Sequence, residues 1–168
     1  PPDLWPSQAR AEVARQIDTP YAVFIDNDVL VQPGWLEALL ACADETGAGI
    51  VGPLYLWGED ADSDLIHMAG GELMIRQEGT RTVMGERHRR INTRIGELKE
   101  PLRRQACDFA EFHCMLMRRE VLQAPETFDP DIVCVHEHIH ASLVARQLGY
   151  GTWMEPAARV FYFAQSPW

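Results

Sequence analysis

The sequence has no excess of positive charge, no paired cysteine motif and no long apolar run. It contains 15 Lys and Arg residues and 25 Asp and Glu residues, which gives a net charge of −10 at pH 7. This acidic balance argues against general nucleic-acid binding. Cys42, Cys107, Cys114 and Cys134 form no C-x-x-C pair, which argues against a zinc ribbon and for a reducing compartment. We expect no membrane span and no signal peptide. The expected location is the cytoplasm, with the cytoplasmic face of a membrane as an alternative.

The composition is that of one ordered domain. The 168 residues are 46% apolar and 24% charged, which suits a single domain over 1–168 with a buried core. Charge is distributed unevenly, because residues 76–104 carry nine Arg and Lys against four Glu. This segment also lacks apolar periodicity, so we predict a flexible basic loop over 76–104.

Apolar periodicity elsewhere predicts strands that alternate with helices. The run "YAVFI", Tyr21–Ile25, is short and continuously apolar, which predicts a strand buried on both faces. Pro33 begins a helix that Gly47 ends. Residues 49–57 predict a second strand, and residues 136–148 a later helix. Together these elements predict a mixed α/β domain.

Two carboxylates directly follow the first predicted strand. Asp26 and Asp28 flank Asn27 at the carboxyl end of that strand, which is the edge where open α/β sheets bind ligands. They lie on one side if the strand persists, and two close carboxylates need a cation between them or a raised pKa. Carboxylate oxygens suit Mg²⁺ or Mn²⁺, which keep positions for phosphate oxygens. One interpretation is a metal-bridged diphosphate site; the other is a polar turn before a helix.

The run "YAVFIDNDVLVQPGWLEALL", residues 21–40, resembles family 2 glycosyltransferases, which have the GT-A fold. The resemblance continues in order through "CMLMRREVL", "FDPDI", "HEHIHASLVARQLGYG" and "EPAARVFYF", and so spans about Ser7 to Tyr162. It implies a GT-A-like α/β fold, in which helices flank a mixed sheet. Nothing before Ser7 supplies the family's first strand and nucleotide-binding turns. We therefore expect the domain to be incomplete at its N-terminus.

The resemblance also implies an activity and a set of site residues. The activity is metal-dependent transfer of a sugar from a nucleotide-diphosphate donor to a glycan or another hydroxyl acceptor. The predicted donor-binding residues are Asp26, Asn27 and Asp28, of which Asp28 and Asp26 are the candidates to hold Mn²⁺ or Mg²⁺. Glu111 and His113 fall in the region that borders the acceptor site in the family. They are the predicted acceptor-binding residues.

The position of the catalytic base departs from the family pattern. The family usually has a Glu-Asp pair whose Asp is the base, and this pair reads Glu137-His138 here, so that Glu137 is the acidic residue that remains. Glu137 is therefore the first candidate base, and His138 is the second because imidazole accepts a proton near neutral pH. Tyr162 stands where many members of the family have a metal-binding histidine. Inversion at the anomeric carbon is usual in the family and is the expected outcome.

Two other functions stay open from the sequence. The stretch "HEHIH" matches H-E-x-x-H, which on a helix would place His136 and His140 as zinc ligands and let Glu137 activate a water. This reading predicts a zinc-dependent hydrolase. The third reading is a non-catalytic sugar-nucleotide or glycan-binding module that kept the fold and lost the base. An incomplete sheet exposes an edge strand, so self-association through that edge is expected.

Overall fold

The computed structural model describes residues 4–58, 62–132 and 135–163. The helices there are α1 (Pro6–Ala14), α2 (Trp35–Thr46), α3 (Arg119–Leu122) and α4 (Glu137–Gln147), with a 3₁₀ turn at Ile95–Glu97. The strands are β1 (Tyr21–Ile25), β2 (Val29–Val31), β3 (Ile50–Trp57), β4 (Ile66–Met68), β5 (Gly71–Glu78), β6 (Arg81–His88), β7 (Gln105–Cys107), β8 (Cys114–Arg118) and β9 (Thr152–Tyr162). No helix in these ranges is long and apolar enough to cross a membrane.

A mixed sheet forms the centre of the fold. Five strands run in the order β1-β8-β3-β9-β2, with β4 paired to β3 and β7 paired to β9. The β3–β9 pair is parallel, whereas β8 runs antiparallel to both β1 and β3. Alternate residues of β3 point to opposite faces: Val51 packs in one core cluster with Leu39 of α2, and Ile50 in another with Ala14 of α1 and Ala145 of α4. The predicted α/β sheet flanked by helices is confirmed.

Strand β1 lies at the end of this sheet and pairs there with β8 alone among the described strands. Its first four residues are half-buried, and Ile25 is 42% exposed. The prediction that "YAVFI" is buried on both faces is therefore wrong. An apolar run shows that a strand has two apolar faces, but it does not show whether neighbours cover them. Self-association through this edge stays a prediction.

The predicted loop over 76–104 begins instead as a β-hairpin. Strands β5 and β6 pair from Gly71 with His88 to Glu78 with Arg81, and form a two-stranded sheet of their own. Most of their side chains are exposed. Because neither face is buried along most of its length, the hairpin carries no apolar alternation for sequence analysis to detect. Its basic residues are partly neutralised, since Arg87 and Arg89 both form ion pairs with Glu72.

We predict that Gly71→Ala destabilises the fold by about 1–3 kcal/mol. Gly71 is the first residue of β5, and a Cβ atom added there would come within 2.4 Å of ring atoms of Phe109. Phe109 is fully buried, so its ring has no solvent to move into. The free energy of unfolding, measured by urea denaturation, tests this prediction.

Gly85→Ala in the partner strand is the matched control. A Cβ atom at Gly85 would meet only the end of the Met74 side chain, at an ordinary 3.5 Å. Alanine also lowers the conformational entropy of the unfolded chain, which favours the folded state. We therefore expect this change to be neutral or to stabilise the fold by less than about 1 kcal/mol. Equal losses at the two glycines would show that contact with Phe109 is not the cause.

Candidate active site

Strand pairing brings the two predicted carboxylates to one place in the fold. Ile25, the last residue of β1, pairs with Cys114, the first residue of β8. The next residue along, Asp26, therefore lies opposite the residue before β8, and its N–H donates to the His113 carbonyl at 3.1 Å. On the other side, Phe163 after β9 donates its N–H to the Asp28 carbonyl at 2.9 Å.

The side chains of Asp26 and Asp28 converge with that of His113. One ligand atom from each of the three lies within 4.8 Å of the other two. Asp26 is engaged on both oxygens, by His113 Nδ1 at 3.0 Å and by Arg10 Nη2 at 3.3 Å. Asp28 differs, because its Oδ1 atom is buried and has no hydrogen-bond partner among the described residues. Between them, Asn27 is exposed in the turn.

A buried carboxylate oxygen without a partner is costly unless a cation or a donor satisfies it. Asp28 therefore has the property that a metal ligand needs. Asp26 offers a second carboxylate within reach. These two residues and His113 are the described side chains that could hold a divalent cation at the end of β1.

The ring of His113 is oriented from two directions. It stacks on the ring of Tyr162, with centroids 3.9 Å apart and planes tilted by 22°. Burial lowers the pKa of His113, but the hydrogen bond to Asp26 and the charge of Glu111 outweigh burial, so the pKa is raised. Tyr162, at the end of β9, thus helps to orient a histidine that comes from the segment before β8.

Glu111 and His113 lie in the short segment between β7 and β8, and His113 is in a turn. Glu111 is buried and pairs with His67 Nε2 at 2.8 Å. Burial raises the pKa of Glu111, but the hydrogen bond and charge of His67, with the charges of His113 and His88, bring it down to about 2. Their predicted role in acceptor binding stays a prediction.

The first candidate base, Glu137, is connected to Asp26 through an arginine. Glu137 begins α4, and its Oε1 atom accepts from Arg10 Nη1 at 3.2 Å, while the same guanidinium contacts Asp26. The other oxygen, Oε2, is buried without a hydrogen-bond partner among the described residues. Arg10 had no signal in the sequence, because it lies on a different helix 16 residues before Asp26 and 127 before Glu137.

The second candidate base faces the hairpin. His138 Nε2 lies 3.3 Å from Glu86 Oε2 on β6, and its ring lies 5.3 Å from that of Phe109. Burial lowers the pKa of His138 despite the nearby carboxylates of Glu111 and Glu86. The structure therefore connects Glu137, and not His138, to the Asp26 side chain.

The structure does not support the zinc-hydrolase reading of "HEHIH". The His140 ring donates to the Glu126 carbonyl at 2.7 Å, and His136 lies towards Glu86. Within residues 4–58, 62–132 and 135–163, neither histidine belongs to a group of three potential ligands. The sequence matches the H-E-x-x-H pattern, but its two histidines, His136 and His140, contact Glu86 and the Glu126 carbonyl instead.

Comparison with known families decides the assignment. Residues 3–124 match the model of glycosyl transferase family 2. The chain belongs to this family. Among curated proteins, none matches the sequence of this family 2 domain.

The fold of this family 2 domain is similar to that in the crystal structure of GalNAc-T7 with UDP, GalNAc and Mn²⁺. The TM-score is 0.64 and the sequence identity is 16%, over 95% of this chain and 30% of that chain. At this identity the likeness shows the fold, which is GT-A. The domain thus spans about a third of the length of that solved relative.

Proposed function

We propose that this domain takes part in metal-dependent transfer of a sugar from a nucleotide-diphosphate donor to an acceptor hydroxyl. The observation that carries the proposal is the convergence of Asp26 and Asp28 at the end of β1, with one buried Asp28 oxygen unpartnered among the described residues. Family membership supports a transferase. The structural relative was crystallised with UDP and Mn²⁺, which supports a nucleoside diphosphate as part of the donor.

Asp28 and Asp26 are the proposed metal-holding residues, and the proposed ion is Mn²⁺ or Mg²⁺. Both are hard cations that prefer carboxylate oxygens and retain positions for phosphate. When bound, such an ion neutralises charge on the leaving diphosphate. His113 and Arg10 hold the two oxygens of Asp26 and so fix the direction of its carboxylate. Asn27 completes the proposed donor-binding turn.

Glu137 is the proposed general base that removes the proton of the acceptor hydroxyl. Arg10 fixes one oxygen of Glu137 and leaves Oε2 as the atom that can take the proton. A base opposite the leaving group favours inversion at the anomeric carbon, which we propose for this domain. Glu111 and His113 are proposed to line the acceptor side. The acceptor is proposed to be a glycan or another hydroxyl compound.

Calorimetric titration of nucleoside diphosphates tests the metal site. We expect Mn²⁺ to tighten binding of UDP or GDP at least tenfold, about 1.4 kcal/mol, and a chelator to remove the gain. Asp28→Asn should abolish this gain, because it removes the charge next to the cation. Asp18→Asn, at an exposed position before β1, is the matched control and should keep it.

Two results would count against the proposal. Nucleotide binding with the same affinity in the presence and absence of Mn²⁺ would show that the nucleotide site does not use a metal ion. Binding that depends on Mn²⁺ but survives in Asp28→Asn would place the ion elsewhere. Metal-dependent binding without any sugar transfer would instead favour a non-catalytic sugar-nucleotide-binding module.

A further inference from the structure

A second set of potential metal ligands lies beside the two aspartates. We name His67, His88, Glu111 and His113 the histidine–glutamate cluster. The Nε2 atom of each histidine faces the Glu111 carboxylate. The distances are 2.8 Å from His67 to Oε2, 3.7 Å from His113 to Oε2 and 3.4 Å from His88 to Oε1. Three imidazoles around one carboxylate differ in chemistry from the oxygen-only pair of Asp26 and Asp28.

The cluster is built by the fold, and its members come from separate segments. His67 belongs to β4, His88 ends β6, and Glu111 lies 44 residues after His67. His67 and Glu111 are only 6% and 9% exposed. The fully buried Tyr55 hydroxyl accepts the Glu111 N–H at 3.1 Å and lies 2.8 Å from the Cys114 carbonyl. The backbone that carries Glu111 and His113 is therefore held in place from within the core.

The spacing of the cluster matches that of a metal site. In a tetrahedral zinc site with bonds of about 2.0–2.2 Å, neighbouring ligand atoms lie roughly 3.3 Å apart. The three distances to Glu111 fall on both sides of that value. Ligand atoms of His67, Glu111 and His113 all lie within 4.8 Å of one another. These three residues could therefore each supply one ligand atom to a single ion, and His88 Nε2 lies 3.4 Å from the other Glu111 oxygen.

His113 also has the arrangement that metal-binding histidines commonly show. Its Nδ1 lies 3.0 Å from Asp26 Oδ2, and because an ionised carboxylate only accepts, Nδ1 carries the proton. The other nitrogen, Nε2, is then the one directed at Glu111. A carboxylate on one ring nitrogen and a metal on the other is the usual way in which proteins orient such a ligand.

We propose that the histidine–glutamate cluster is a second metal site, which binds a first-row transition ion such as Zn²⁺. Imidazole nitrogens favour such ions over Mg²⁺, which prefers oxygen. The site goes beyond the proposed transferase function, because the metal ion of that function is assigned to the carboxylates of Asp26 and Asp28 and not to this cluster. The hydrogen bond from His113 to Asp26 connects the two sites. An ion in the cluster thus fixes the His113 ring, and through it the Asp26 carboxylate.

Equilibrium dialysis with Zn²⁺, in excess Mg²⁺ and without nucleotide, tests the second site. We expect one Zn²⁺ per chain, measured by elemental analysis of the protein after dialysis. Glu111→Gln and His67→Gln should each weaken binding by about 100-fold or more, since even second-shell changes cost 10–100-fold. Asp28→Asn should keep the ion, because Asp28 lies outside the cluster. His136→Gln, which removes a histidine that is 57% exposed, should keep it too.

Co²⁺ binding by the unaltered protein tests the same site without any substitution that could disturb the fold. Intense visible absorption bands of four-coordinate Co²⁺, displaced by one equivalent of Zn²⁺, are the expected result. Weak bands of six-coordinate Co²⁺ only, or Zn²⁺ retained equally by Glu111→Gln and His136→Gln, would overturn the proposal. Either of these results would leave the Mn²⁺-dependent nucleotide titration, and so the proposed transferase site, untouched.

Discussion

Glu137→Gln is expected to lower the rate of sugar transfer by about 10²–10⁴-fold, the usual contribution of a general base. The amide keeps the shape of the side chain and can still accept from Arg10 through its oxygen, but it cannot take a proton. Nucleotide and Mn²⁺ binding should change little, because Glu137 reaches Asp26 only through the Arg10 guanidinium. The measurement is release of nucleoside diphosphate from a nucleotide sugar in the presence of acceptor.

His138→Gln is the matched control, since it alters the neighbouring residue and the second candidate base. His138 lies against Glu86 and Phe109, so we expect the rate to fall by less than tenfold, about 1.4 kcal/mol. A large loss at His138 with little loss at Glu137 would reverse the assignment of the base. Equal small losses at both would favour the non-catalytic binding module.

Features that depend on neighbouring residues could be predicted from the sequence. The apolar run of β1, the turn that carries Asp26 and Asp28, and the end of α2 at Gly47 each rest on a few consecutive residues. Gly47 has φ +67°, a conformation that glycine adopts without strain. The closeness of Asp26 and Asp28 also follows from local geometry, because one residue separates them.

Features that depend on long-range pairing could not be predicted. Arg10 contacts Asp26 and Glu137 because α1 packs in the core cluster that Phe24 of β1 also joins, and nothing in the segment of Arg10 indicates this packing. His88 reaches Glu111 only because β6 returns along β5 to Gly71. The sequence placed His88 in a loop, since an exposed hairpin carries no apolar pattern. Which strands pair depends on the packing of the whole fold, and a single sequence does not show it directly.

Arg104→Ala is expected to lower the free energy of unfolding by about 3 kcal/mol, because it leaves a buried carboxylate unpaired. Glu155 on β9 is 4% exposed. Its Oε2 atom accepts from Arg104 Nε at 2.5 Å, and its Oε1 atom accepts the Ala157 N–H at 2.9 Å. Without the guanidinium, the Glu155 carboxylate would lose its charged partner while it remains shielded from water. Urea unfolding at neutral pH measures the loss.

Glu45→Ala separates the pair with the buried Glu155 from the surface pair that Arg104 also forms. The Glu45 side chain is 66% exposed, so its ion pair with Arg104 is screened by water and should contribute less than about 1 kcal/mol. Replacing both partners, as Arg104→Met with Glu155→Met, should recover most of the stability, because no unpaired charge remains. If the double variant is as unstable as Arg104→Ala, the loss comes from packing of the arginine stem and not from the stranded carboxylate of Glu155.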